Sequence, residues 1–340
     1  SLVGSVAFVR GWPSRRAVGV GELGTVAGKA CRGPRRAGPA DAPEPEPLAA
    51  PGGFAPPEPK PLSVTRPDLL PALLAGSIAL LLRLLASVFV VGWRPGFVDD
   101  GERSLKEGTY ALQLGPLSFR DGSDSIDGKL PRPAKPLVLY EYEASPFCRK
   151  VREALCMLDL PCEMRPCPGA RAGFSDELRA RAGRRTVPYL VDPNREVEMF
   201  ESDDIVDYLF DTYGPGRDAV PFILRGPLAT ITGAYASVVR GFAGGKPEPG
   251  ARVDNARRKP LEMWGYEASP FVKLVREKLC ALMLPHVVIP ASRGSANRDA
   301  MVKQKGRFQV PFLRDPNTGV ELFEAPEICE YLQEVYTLRQ

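Results

Sequence analysis

The sequence predicts an α/β protein built from two tandem copies of one unit, because three motifs occur twice in the same order. The first motif, LVLYEYEASPFCRKVREAL from Leu137, returns as LEMWGYEASPFVKLVREKL from Leu261, 124 positions later. The other two, TVPYLVDPN and MFESDDIVDYL, return as QVPFLRDPN and LFEAPEICEYL, 123 positions later. Motifs that keep their order over such a distance indicate an internal duplication with about one residue deleted.

Each copy is expected to follow the order β-α-β-α-β-β-α. The continuous apolar run Leu137–Tyr140 predicts the first strand. Ser145 followed by Pro146 predicts a helix start, with the serine as N-cap and the proline at the first helical position. Short apolar segments at 162–166 and 187–191 predict two further strands, and the second copy has a counterpart of each.

Composition and the repeat together divide the chain into six parts. These are an arm (1–67), a hydrophobic helix (68–93), a connector (94–134), domain 1 (135–214), a linker (215–259) and domain 2 (260–340). The arm is rich in Pro, Gly and Ala and is expected to be extended, and its basic, acid-poor start resembles an organelle transit peptide. The connector is predicted to be polar and rich in turns. In the linker we expect a helix over 222–242 that is broken at Pro227.

The hydrophobic segment Leu69–Trp93 is about as long as a bilayer-spanning helix and contains one charged residue, Arg83. Small residues share a face with this arginine: Ala72, Gly76, Ala79, Ala86 and Ser87. Small residues allow close helix packing in membranes, and a membrane arginine is expected to face protein rather than lipid. We therefore expect one helix embedded in, or pressed against, a membrane or a membrane protein. The alternative is a buried soluble helix or one lying at the membrane interface.

Several function classes are disfavoured by composition. The net charge of +4 is mild, and no motif of interleaved aromatic and basic residues suggests nucleic-acid binding. Seven cysteines without a CxxC pair argue against a disulfide framework and against a zinc site, so no metal is expected. His286 is the only histidine, which argues against Ser-His-Asp and Cys-His catalysis. Since it stands at the place of Cys162 in the repeat, we expect a packed strand residue.

With these motifs in order, each repeat resembles the thioredoxin-fold N-terminal domain of glutathione S-transferases and the related glutaredoxins. The tandem arrangement, with SPFCRKVRE, VPYLVDPN and FES, resembles a group of plastid proteins of plants and algae. The resemblance covers about 135–337. It implies two tandem thioredoxin-fold domains, preceded by the extended arm and the hydrophobic helix.

The resemblance also implies a site at the turn before the first helix, where glutaredoxins carry a nucleophilic cysteine. Here that place is Ser145, and a hydroxyl cannot form a mixed disulfide. Cys148, one turn further, is either a slow single thiol or a small buried hydrophobe. The implied glutathione-binding candidates are Ser145, Val187, Pro188, Glu201 and Ser202. A degenerate second site has Ser269, Val310, Pro311 and Glu324, with Ala325 in place of the serine. Cis peptide bonds are expected before both prolines.

Two hypotheses follow. The first is a non-catalytic, degenerate tandem scaffold that is bound through residues 1–93 to a membrane protein complex. The plastid resemblance implies the chloroplast thylakoid membrane, with a photosystem or antenna subunit or assembly factor as the role. The second is a glutathione-dependent transferase or thiol oxidoreductase centred on domain 1. Glutathione is the one cofactor that the second hypothesis implies.

Overall fold

The two repeats fold into equivalent sets of strands and helices. The computed structural model describes residues 45–60 and 67–338. The arm predicted over 1–67 is therefore described in part, and its residues 1–44 and 61–66 lie outside this range. Residues 45–60 contain no helix or strand, as expected of a Pro-rich segment. Leu48 and Phe54 pack against the protein core, and the Phe54 ring lies 5.3 Å from that of Tyr331.

Between residues 67 and 134, the chain forms two α-helices and a small sheet. The elements are α1 (Leu70–Leu82), β1 (Arg94–Val98), α2 (Gly101–Lys106), β2 (Leu112–Leu114) and β3 (Leu117–Gly122). The strands pair antiparallel in the order β1-β3-β2, with a tight turn at Gly115, whose φ of 61° suits glycine. Residues 94–134, which were predicted to be a polar connector rich in turns, thus contain a small antiparallel sheet and a short helix. Their mixture of polar and apolar residues did not predict these elements.

Both repeats have the predicted β-α-β-α-β-β-α order. Repeat 1 comprises β4 (Leu137–Glu141), α3 (Pro146–Met157), β5 (Cys162–Pro166), α4 (Ser175–Ala182), β6 (Tyr189–Asp192), β7 (Val197–Met199) and α5 (Ser202–Tyr213). The linker contains α6 (Gly226–Val239). Repeat 2 comprises β8 (Leu261–Gly265), α7 (Pro270–Ala281), β9 (His286–Pro290), α8 (Asn297–Lys305), β10 (Phe312–Arg314), β11 (Glu321–Phe323) and α9 (Ala325–Tyr336). The linker helix is not broken at Pro227, because this proline lies in its first turn, where no N–H is needed.

The strands of the two repeats form one continuous sheet. Its order is β11-β10-β8-β9-β5-β4-β6-β7. The repeats meet where β5 and β9 pair antiparallel, with Met164 opposite His286. His286 is buried in this strand, as predicted, and burial lowers its pKa to about 4. Pairing these two edges leaves neither strand open to solvent.

The prediction of a single helix over Leu69–Trp93 is wrong. Helix α1 has 13 residues and ends at Leu82, and the chain then turns through left-handed conformations at Leu84, Leu85 and Ser87. Arg83 directly follows the helix; it is 2% exposed and forms an ion pair with Glu153 on α3. Within residues 45–60 and 67–338, no helix combines the length and apolar character that membrane crossing requires.

Helices α1 and α6 are themselves a repeated element. Ala72, Gly76, Ala79 and Arg83 recur in α6 with identical spacing, as Ala229, Gly233, Ala236 and Arg240. The two helices pack against each other. In addition, α1 packs against α7 of repeat 2, and α6 packs against α3 of repeat 1. A Cβ at Gly76 would lie 3.1 Å from Pro270 Cβ, and one at Gly233 would lie 3.1 Å from Pro146 Cβ. The small residues therefore let the backbone approach the Ser-Pro turns, within this chain rather than in a membrane.

Candidate functional site

The two Ser-Pro turns have the same geometry. Ser145 caps α3, and its Oγ accepts a hydrogen bond from the Cys148 N–H at 3.2 Å. Ser269 caps α7, and its Oγ accepts from the Val272 N–H at 3.4 Å. Both serines are buried. Their hydroxyls therefore satisfy free N–H groups of the helix, which is the ordinary role of an N-cap serine.

The Cys148 side chain is fully buried in the first turn of α3. Burial raises the pKa of its thiol to about 12, and the nearby Glu141 carboxylate adds to this effect. Reactive cysteines have a lowered pKa and some exposure. Cys148 has neither, which agrees with the interpretation as a small buried hydrophobe.

Both predicted cis peptide bonds, Val187-Pro188 and Val310-Pro311, are present. The glutamates of the two implied sites, Glu201 and Glu324, take left-handed conformations with φ of 64° and 70°. Each stands directly before a helix. Ser202 is buried at the start of α5, and Ala325 occupies the same place in α9. The backbone of both sites is therefore equivalent, although the side chains differ.

In repeat 1, one side chain of the implied site lies beside an opposite charge. Glu201 is largely exposed and lies 3.8 Å from Arg184. Next to Ser202, Asp203 of α5 accepts a hydrogen bond from Lys150 of α3 at 2.6 Å, which joins these two helices.

Repeat 2 brings its four predicted residues around one cavity of about 460 Å³. Ser269, Val310, Pro311 and Glu324 all line it, together with residues that sequence reasoning missed. Three of these are Tyr110, Arg293 and Arg298. The site interpreted as degenerate is therefore a formed cavity, because the small sheet ahead of repeat 1 contributes one of its walls.

The acidic group of this cavity is already engaged. Glu324 Oε1 accepts a hydrogen bond from the Gln309 amide at 2.7 Å. It also accepts one from the backbone N–H of Lys60 at 2.5 Å, so the described part of the arm ends beside the cavity. A ligand entering the cavity would meet a hydrogen-bonded carboxylate on this side.

A cluster of buried charges joins the two repeats. Its members are Glu141, Glu143, Arg149, Arg152, Glu267, Lys273 and Arg276. Arg152 donates to Glu267 at 3.0 Å, and Lys273 donates to Glu143 at 3.2 Å and to Glu267 at 3.1 Å. Burial alone would raise the pKa of Glu143, but the surrounding cations outweigh it and hold this pKa well below its usual range. The cluster thus stabilises the joint between repeats.

Metal binding has no support in the parts of the chain that the structure covers, since no group of His, Cys, Asp and Glu side chains there is arranged to hold a metal ion.

Fold and sites together define two thioredoxin-fold domains in tandem. Residues 139–217 and 263–340 each match the family described as glutathione S-transferase, N-terminal domain. The two matches confirm a tandem of such domains. A search of curated proteins gave no match.

Among solved structures, the chain is similar to a glutathione transferase of Bombyx mori in complex with GTT. The sequence identity is 14%, and the similarity covers 59% of this chain and 100% of that chain, with a TM-score of 0.23. At that TM-score the similarity carries no argument about this protein.

The residues missed by sequence reasoning had weak signals. The α1/α6 equivalence was detectable, because Ala72 and Ala229 begin the same spacing of small residues and arginine. It was hidden because its offset of 157 differs from the 124 of the Ser-Pro motifs. Tyr110 had no signal, because it lies in an insertion without a counterpart in the second repeat.

Proposed function

We propose that this chain is a non-catalytic scaffold that attaches to a membrane protein complex through the exposed face of helices α1 and α6. The resemblance to plastid proteins makes a photosynthetic complex of the thylakoid the proposed partner. The supporting observation is an apolar face formed by ten large side chains: Leu70, Leu74, Ile78, Leu81, Leu85, Leu228, Ile231, Tyr235, Val238 and Phe242.

Each of these side chains is between 44% and 65% exposed. Neither Leu70–Leu82 nor Gly226–Val239 contains a charged residue. The opposite sides of the helices are occupied within the chain, because Leu73, Ala79 and Ala236 are buried there. An exposed apolar surface of this extent is unusual on a monomer and is typical of a protein or membrane contact.

The two helices present this face as a rigid pair. Arg83 Nη1 donates to the Ala229 carbonyl at 3.1 Å, and Arg240 donates in return to the Ala72 carbonyl. The C-terminal arginine of each helix is therefore anchored on the other helix. A preformed surface loses little conformational entropy on binding, which favours a stable attachment.

The absence of a reactive thiol at the Ser-Pro turns supports a non-catalytic role. Ser145 is engaged as an N-cap, and Cys148 is fully buried with a raised pKa. Neither provides the exposed, low-pKa nucleophile that thiol-disulfide exchange needs. The buried charge cluster likewise serves the joint between repeats rather than a substrate.

Membrane attachment is tested by co-sedimentation of the full chain with isolated thylakoid membranes. The variant Ile78→Glu/Tyr235→Glu places one charge on each helix of the apolar face and is expected to stay in the supernatant. Val253→Glu is the matched control, because Val253 is 95% exposed but lies elsewhere, and it is expected to sediment with membranes as the unaltered chain does.

Two outcomes would contradict this proposal. If the double variant sediments with the membranes as well as the control does, the apolar face is not the attachment surface. If protein-free liposomes or protease-stripped membranes bind the chain as well as intact membranes, the partner is lipid and not a protein complex.

The alternative, a glutathione-dependent transferase or thiol oxidoreductase, is favoured by one observation. Glu201 and Glu324 both take left-handed conformations directly before a helix, where free backbone N–H groups would suit the carboxylate of glutathione. Glutathione-linked reduction of a small disulfide tests it. Turnover at about 1 per second or more, as typical enzymes show, would replace the scaffold proposal. For the scaffold we expect no activity in the parent chain, and a Ser145→Cys variant shows whether only the nucleophile was lost.

A further inference from the structure

The cavity beside Ser269 has an aromatic wall that holds a guanidinium. The rings of Tyr110 and Phe308 meet edge to face, with centroids 4.9 Å apart. The Arg298 guanidinium lies against both rings, with its Cζ 4.8 Å from the Tyr110 centroid and 4.3 Å from that of Phe308. Tyr266 and Leu112 complete the apolar lining. The cavity therefore combines flat apolar surfaces with a fixed positive charge.

The Arg298 charge is buried without a matching anion. Its side chain is 4% exposed, and its Nε donates to the carbonyls of Ala291 and Ser292 at 3.0 and 2.9 Å. In the part of the chain that the structure describes, no acidic side chain forms an ion pair with it. Asp121, whose charge acts on Arg298, is paired with Arg293 at 2.7 Å. A buried charge without an anionic partner is costly, and here two carbonyls and two aromatic rings offset this cost without a carboxylate.

Desolvation acts on Arg298 in the direction expected for an unmatched cation. Burial lowers the pKa of its guanidinium; Tyr110, Tyr266 and Asp121 oppose this effect in part, and the positive charge of Arg293 adds to it. An anion placed against the guanidinium would oppose both effects. The arginine lines the cavity, so a bound ligand has access to it.

The second repeat alone has this arrangement. Helices α4 and α8 are each followed by an equivalent C-cap glycine, Gly183 and Gly306, which places Ser175 of repeat 1 at the position of Arg298. Tyr110 comes from the segment between α2 and β2, and repeat 2 has no copy of that segment. The fold therefore does not require either residue, since repeat 1 forms the same fold without an arginine at this place.

We propose that this cavity binds a small aromatic carboxylate. The carboxylate would pair with the Arg298 guanidinium, and the ring would pack against the apolar lining at Tyr266 and Leu112. Glu324 lines the same cavity, but its Oε1 is held by hydrogen bonds from Gln309 and the Lys60 backbone, and two arginines, Arg293 and Arg298, line the cavity with it. The volume of about 460 Å³ suits a small ligand rather than a peptide or a protein segment. This inference is independent of membrane attachment, because the apolar face of α1 and α6 is not part of the cavity.

Binding is tested by ligand-observed fluorine NMR with 4-fluorobenzoate and the full chain. The neutral analogue 4-fluorobenzamide has the same ring and nearly the same size, so it isolates the effect of the charge. Arg298→Met removes the hydrogen-bonded charge pair with the ligand, so it is expected to weaken the binding of 4-fluorobenzoate about 10- to 100-fold. The unaltered chain is expected to prefer the carboxylate over the amide by a similar factor.

Arg165→Met is the matched control. Arg165 lies over the rings of Tyr140 and Phe174 in repeat 1, but it pairs with carboxylates, Glu163 at 2.8 Å and Glu177. The Arg165→Met variant therefore removes an arginine that stacks on rings but is already paired with carboxylates. Its affinity for 4-fluorobenzoate should equal that of the unaltered chain. If Arg298→Met does not fold, Tyr110→Leu replaces it, and weaker binding is again expected.

Three results would overturn the proposal. The first is no binding of 4-fluorobenzoate to the unaltered chain at millimolar concentration. The second is equal binding of the carboxylate and the amide. The third is unchanged affinity in Arg298→Met, or in Tyr110→Leu where that variant takes its place.

Discussion

Replacing Arg83 with methionine is expected to destabilise the protein strongly, although the residue lies outside both repeats. Its guanidinium bonds Glu153 through two atoms, with Nε to Oε1 at 3.0 Å. It also donates to the carbonyls of Ala229 and Ile223 at 3.1 Å each. One side chain thus connects the end of α1 with α3, α6 and the turn before α6.

The magnitude follows from burial, since Arg83 and Glu153 are 2% and 1% exposed. Removing one partner of such a pair leaves the other charge buried and uncompensated, which costs about 3–5 kcal/mol of unfolding free energy. At about 2–4 °C per kcal/mol for a unit of this size, the melting temperature should fall by roughly 10 °C. Arg240→Met, which leaves Glu277 unpaired, is expected to behave in the same way.

The assay is urea and thermal unfolding followed by circular dichroism. The double variant Arg83→Met/Glu153→Met replaces both charges with apolar groups of similar volume, so it should be more stable than the sum of the single losses predicts. Arg94→Met is the control, because its ion pair with Asp127 is exposed and should contribute about 1 kcal/mol or less. If Arg83→Met costs no more than the control, or if the two losses simply add, then the buried pair does not hold α1 in place.

Three further predictions concern packing, reactivity and pH. Gly76→Leu should lower the unfolding free energy by about 1–3 kcal/mol, because the new side chain overpacks against the proline that begins α7. Ile78→Ala, on the exposed side of the same helix, should change it by no more than about 0.5 kcal/mol. Equal losses for the two variants would contradict the close approach of α1 to this proline. In a Cys31→Ser variant, Cys148 should resist iodoacetamide at pH 8 in the native state and react once urea unfolds the chain, because the thiol is buried and burial raises its pKa to about 12. Mass spectrometry detects the labelling, and equal labelling rates in the native and unfolded states would show that the thiol is not buried. Burial lowers the pKa of His286 to about 4, so between about pH 4 and 6.5 the unfolded chain binds one more proton than the folded chain. Lowering the pH through this range should therefore reduce the unfolding free energy by roughly 3 kcal/mol, and His286→Gln should not show this loss. Identical pH slopes in urea unfolding for both proteins would refute this.

Much of the fold could be predicted from the sequence because its signals are local. The Ser-Pro turns appear as N-cap serines followed by proline at the first helical position, at Ser145 and Ser269 alike. Both Val-Pro bonds are cis, as the resemblance implied. The order of elements in each repeat likewise follows from apolar runs and their spacing. These features depend on residues that are close together in the chain.

The prediction of one helix over Leu69–Trp93 was wrong because the length and apolarity of a segment do not show what the segment packs against. The run from Leu69 to Trp93 is apolar for two reasons that composition cannot separate. Its small residues and Arg83 pack against the chain itself, whereas residues such as Leu74 and Ile78 are exposed. The helix ends at Leu82, and the next residue, Arg83, bonds Glu153, which lies 70 positions further along the chain.

The cavity of repeat 2 was missed for a similar reason. Residue types at the implied site favoured repeat 1, where the serine after the glutamate is kept. The cavity instead depends on Tyr110, which lies far from Arg298 in sequence and meets it only in the folded chain. No pattern around Tyr110 indicates this contact.

The sequence by itself determined the duplication, the element order and the turn chemistry, because each depends on short-range spacing. Only the tertiary structure decided how the duplicate halves are joined, through β5 against β9 and through buried charges on both repeats. It also decided which apolar residues are covered, and it brought Tyr110 to the cavity of repeat 2. The physical reason is that burial and charge pairing are properties of distant residues brought together, and their energies depend on the surrounding dielectric rather than on local pattern.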